Sequence, residues 1–82
     1  MVVNMNELIN KIGERITAKM RVVNIGKLNG YYKENFREYP AYSEFVGMTQ
    51  MLRAMDIDFE VEWDENDDQM TAITVMGKRF EV

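Results

Sequence analysis

Between Asp56 and Asp68 the chain carries eight carboxylates in thirteen positions, with no Lys or Arg among them. One chemistry for such a row is phosphate mimicry. Same-face side chains on a strand repeat every ~6.7 Å, about two ~3.4 Å axial steps of one DNA strand, so a line of carboxylates fits a groove shaped for phosphates. Asp58, Glu60, Glu62 and Asp64 alternate as that line requires, and Glu65, Asp67 and Asp68 extend it into the following loop. The same pattern also has a purely structural use, because charges on the wet side of an edge strand discourage edge-to-edge aggregation.

Two other acid chemistries fit less well. Asp64, Asn66 and Asp68 reproduce the alternating oxygens that open a calcium-binding loop, but Gln69 stands in the glycine position and Val75 where the bidentate Glu belongs. No metal site is expected. Paired carboxylates for glycoside hydrolysis need a cleft that splits their pKa values, and an exposed row on a strand offers none. The chain has no cysteine and no histidine, which removes thiolate nucleophiles, disulfides and the usual general base near neutral pH. The expectation is a protein without catalytic residues or cofactor.

The elements that must position these acids follow from hydrophobic periodicity. Asn4 with Glu7 three residues on makes an N-cap signature, and Met5, Leu8, Ile9, Ile12, Ile16 and Met20 recur at helical spacing, predicting a helix over 4–22. Gly26 and Asn29-Gly30 read as breakers, so 23–30 is expected to be a helix end and loop. Six of the nine aromatics lie within residues 31–45. Tyr32, Phe36 and Tyr39 fit one face of a short helix that Pro40 interrupts, while Pro40 suits the first turn of a second helix over 41–55, with Tyr42, Phe45, Val46, Thr49, Leu52 and Met55 at its period. Met48 and Met51 widen that helix's apolar arc beyond what one neighbour covers, so it should touch both the sheet and the first helix.

After Asp56 the period changes to two: Ile57, Phe59, Val61 and Trp63 alternate with Asp58, Glu60, Glu62 and Asp64. A second strand over 70–76 places Thr71, Ile73 and Val75 on one side, and Gly77-Lys78 reads as a type II′ turn into a third strand. That turn sets Met76 against Arg79, Val75 against Phe80, Thr74 against Glu81 and Ile73 against Val82. A loop at 65–69 sets Trp63 against Thr71, Val61 against Ile73 and Phe59 against Val75. The predicted fold is α+β, residues 1–82 as a single domain: two main helices packed on one face of a three-stranded antiparallel meander, α-α-β-β-β, covering Phe59, Val61, Trp63, Ile73, Val75, Phe80 and Val82.

Charge is unevenly placed. The net value is -4, but residues 1–53 sum to +3 and residues 54–82 to -7. No basic start followed by an apolar run and no run of 18 apolar residues occurs, so neither a secretion signal nor a membrane span is expected, and a cysteine-free chain suits the cytoplasm. The short, acidic, cysteine-free type resembles the small accessory proteins of phages and mobile elements, including inhibitors of host defence nucleases. That resemblance is one of size and charge, implies an inhibitory partner-binding role, and assigns no residue.

The acids thus point to a non-enzymatic protein-binding module, a nucleic-acid mimic that occupies a basic, nucleic-acid-handling surface of another protein. Met48, Met51 and Met55 offer an alternative, a structural or homo-oligomeric protein, with a homodimer through the second helix. Lys11, Arg15, Lys19, Lys33 and Arg37, interleaved with tyrosines, offer direct nucleic-acid binding, which the acidic half disfavours.

Overall fold

In a computed structural model, residues 4–28, 40–66 and 69–82 are described. The order is two helices, α1 (Met5–Leu28) and α2 (Pro40–Ala54), then three strands, β1 (Phe59–Trp63), β2 (Met70–Val75) and β3 (Lys78–Glu81). The strands form one antiparallel sheet in the order β1-β2-β3, so the α-α-β-β-β meander is as predicted. The expected aromatic helix with Tyr32, Phe36 and Tyr39, and the cations Lys33 and Arg37, lie outside the described residues, as do Asp67 and Asp68.

Asn4 caps α1 as its sequence position implies: its Oδ1 accepts the Asn6 backbone N–H at 2.9 Å. The helix then runs six residues past the predicted end at 22, with Gly26 buried inside it rather than breaking it. Tertiary anchoring overrides the local cost of that glycine, about 1 kcal/mol. Val23 is buried in the core, and the Asn24 amide both donates to the Met70 carbonyl (2.9 Å) and accepts the Met70 N–H (3.1 Å). Met5, counted in the apolar stripe, is exposed; the stripe enters the protein only from Ile9 onward.

Helix α2 begins at Pro40, where a missing N–H costs nothing, and ends in a Schellman motif. There the Ile57 N–H bonds the Leu52 carbonyl (2.9 Å), the Asp56 N–H bonds that of Arg53 (3.1 Å), and Asp56 takes the left-handed conformation (φ 55°). Helix α1 packs against α2 and against β2 and β3. Ile16, Met20 and Val23 meet Ala41, Phe45 and Leu52 and the strand residues Met70, Ile73 and Val75 in one core. Thr17 and Thr49 are buried among them with their hydroxyls donated to carbonyls three residues back.

The β1–β2 register is the predicted one through Phe59–Val75 and Val61–Ile73, and then breaks. A bulge sets Trp63 opposite Met70 instead of Thr71, so Thr71 is the extra residue on β2 and is exposed. Met70 takes the core position that Thr71 was expected to hold, and Trp63, expected beneath the helices, is 41% exposed.

The β2–β3 turn is also one residue earlier than predicted. It is Met76-Gly77, both at positive φ (50° and 83°) as a type I′ turn requires, so Ile73 faces Phe80 and Thr74 faces Arg79. The predicted pairing differs by two residues in register, a shift that keeps every side chain on its face and is therefore invisible to alternation. Phe80 settles the matter by packing on α1: a Cβ at Gly13 would stand 2.5 Å from its ring carbons.

Candidate functional site: the outer face of the sheet

The helices cover one face of the sheet, and the other carries the acids. Strand alternation and the pairing place Glu60 and Glu62 of β1, Ala72 and Thr74 of β2, and Arg79 and Glu81 of β3 on that outer face. Asp58 joins the line one step before β1, where its carbonyl accepts the Met76 N–H at 2.9 Å. Asp58 and Glu60 are exposed, and Asp64 is half-buried past the bulge, its N–H bonded to the Gln69 carbonyl (2.9 Å). Glu65 is exposed in the following turn.

The row is not uniformly anionic, a correction to its reading as four equivalent carboxylates. Arg79 reaches from β3 across the central strand, donating from Nε to Glu62 at 2.8 Å and from Nη1 to Glu81 at 2.7 Å. Hydrogen bonding to Glu62, and next to Glu81, pushes the guanidinium pKa further above its already high value, so Arg79 remains charged at every relevant pH. Its bridge crosses β2 at Thr74 and Ala72, and Ala72 has no exposed surface. A methyl group is short enough to lie beneath such a bridge. The alternating pattern could show Glu62 on this face but not its partner, because Arg79 is seventeen residues away and the partnership depends on the turn position.

Asp58 and Glu60 are thus the leading edge of the anionic surface. Beside Asp58 lies an open hollow of about 290 Å3 lined by Arg53, Asp56, Ile57, Asp58 and Phe59, with the Arg53 guanidinium 5.2 Å from the Phe59 ring centroid. That stacking is where the end of α2 meets β1. Among the described residues no group of three or more acids is arranged to hold a metal ion.

The alternative sites divide. Met51 on α2 and Met55 in the turn just past its end are 62% and 57% exposed, whereas Met48 is half-buried against the core. On α1, Lys19 pairs with Glu44 of α2, which takes one cation out of the proposed nucleic-acid set and leaves Lys11 and Arg15 exposed. Sequence reasoning missed Asn24, whose side chain bonds a backbone forty-six residues away. The sequence carried no signal for it, because Asn24 falls in the 23–30 segment read there as a helix end and loop.

Compared with known proteins, the chain matches no protein family, no curated protein and no solved structure. No helix among the described residues is long and apolar enough to cross a membrane.

Proposed function

We propose that this chain is a non-enzymatic, cytoplasmic protein-binding module whose outer sheet face docks on a basic, nucleic-acid-handling surface of another protein, as a phosphate-mimicking inhibitor does. The observation that carries this reading is the charge of that face: Asp58, Glu60, Glu62 and Glu81 stand there with Arg79 as the one cation among the described residues. A rigid strand holds the acids at about twice the axial phosphate spacing of a DNA strand, and the core beneath fixes their orientation. Attraction of this kind speeds association and weakens with salt.

The test replaces Asp58, Glu60, Glu62 and Asp64 by Asn or Gln and measures capture of a basic, DNA-binding partner isolated from the native host, with DNA as competitor. Capture at low salt is expected to fall at least tenfold while circular dichroism stays unchanged. Equal capture by the neutralised variant overturns the reading.

One second reading has an observation of its own. The exposed pair Met51 and Met55 is adaptable apolar surface, and it supports a structural protein that associates through α2.

A further inference from the structure

The pairing pattern fixes which backbone groups of β3 are free to bond outward. Val75 pairs with Lys78 and Ile73 with Phe80 across the two-residue turn, and the Val82 N–H closes on the Thr71 carbonyl at 3.0 Å. Residues 78, 80 and 82 therefore turn their N–H and C=O groups toward β2, and alternation turns those of Arg79 and Glu81 outward. No described residue bonds them.

An outward row of this kind pairs with another antiparallel strand only if outward residues face each other. With a second copy of the same strand three registers qualify. Two of them set Arg79 against Arg79 or Glu81 against Glu81, opposing like charges. The third sets Arg79 of each copy opposite Glu81 of the other, so both cross-strand pairs on the outer face are of opposite charge. In that register Phe80 meets its own counterpart on the helix side, at the non-hydrogen-bonded position where side chains approach most closely.

We propose that β3 is a homodimer seam: two copies join through it about a two-fold axis in the Arg79-to-Glu81 register, forming one continuous six-stranded sheet. About four backbone hydrogen bonds close the seam. Helix α1 packs over β2 and β3, so the two α1 helices lie on the same face of the joined sheet. Strand β1 has no such register with itself. Asp58, Glu60 and Glu62 share its outer face, and every same-face pairing opposes acid to acid.

Sedimentation equilibrium from low micromolar to sub-millimolar concentration tests this. The wild-type chain is expected to approach twice its 9.7 kDa mass. Glu81→Arg, which opposes Arg to Arg, should weaken association at least tenfold, and the swap Arg79→Glu with Glu81→Arg should restore it. A wild-type monomer at the highest concentration overturns the proposal. So does a dimer that ignores these changes and dissolves on Met51→Lys, which would assign the interface to α2. If the charge variants fail to fold, the double variant Lys78→Cys with Val82→Cys decides, because it leaves Phe80 seated on Gly13 and the register sets Lys78 of each copy opposite Val82 of the other. The chain has no cysteine of its own, and residues 78 and 82 lie too far apart on one strand to bond each other, so oxidation gives disulfides only between copies, at non-hydrogen-bonded positions with the Cα separation a disulfide needs. Cross-linking by the double variant but by neither single one supports the seam; no cross-link with the double variant overturns it.

Discussion

The two edge strands of this sheet share the same central partner, yet their outer faces carry different charge patterns. On β1 every outer position is acidic, so the edge repels a copy of itself and attracts a basic surface. On β3 the outer positions are one cation and one anion, and the cation is already turned inward to bind Glu62 of β1 as well as Glu81. Charge sign therefore separates the edge proposed to meet a foreign basic partner from the edge proposed to meet a second copy. The edges are also fastened differently. Beyond β1 the bulge is held by the Asn24 amide on the Met70 backbone, whereas β3 is held by a ring, Phe80, seated on the bare backbone at Gly13.

Breaking the first fastening should have the larger effect. Asn24→Ala removes the side-chain partner of the Met70 N–H and C=O, at a residue only 1% exposed, and two such groups cost about 2–6 kcal/mol. Urea unfolding should show that loss, with amide exchange accelerating first around Trp63 and Met70. Unchanged stability would mean the bulge is set by the strands alone. Gly13→Ala comes next. In a helix this change ordinarily gains up to 1 kcal/mol, but here the new methyl meets the Phe80 ring, and a net loss of about 1–2 kcal/mol is expected in the same measurement. A gain in stability would show that β3 is loosely seated and would weaken the contrast between the edges. The smallest change sharpens the comparison instead. Met76 occupies a left-handed position that Asn tolerates better, so Met76→Asn should stabilise the hairpin by about 0.5–1 kcal/mol and hold Arg79 and Glu81 in their outward register. A loss would argue against the Met76-Gly77 turn.

Much of the architecture was legible without coordinates. The switch from a three-to-four-residue period to a two-residue period after Asp56, the Asn4 cap, Pro40 at a helix start, and the alternation of acids with apolar residues along 57–64 are local patterns, and local backbone geometry reads them directly. They determined two helices, three strands and the side of β1 that faces water.

What they could not determine depends on residues far apart in the chain. Alternation has period two, so it was blind to the two-residue difference between the predicted β2–β3 register and the real one; Phe80 against Gly13 decided that. The extension of α1 to Leu28, the burial of Met70 in place of Thr71, and the exposure of Trp63 all accompany one amide, Asn24, meeting a strand whose position only the folded chain provides. The acids at 58, 60 and 62 were assigned to one face by sequence, but tertiary structure singled out Glu62 as the one Arg79 neutralises. Composition fixes how many charges a chain carries, whereas which of them meet is set by packing, because an ion pair forms only where the core has brought two strands to a common register.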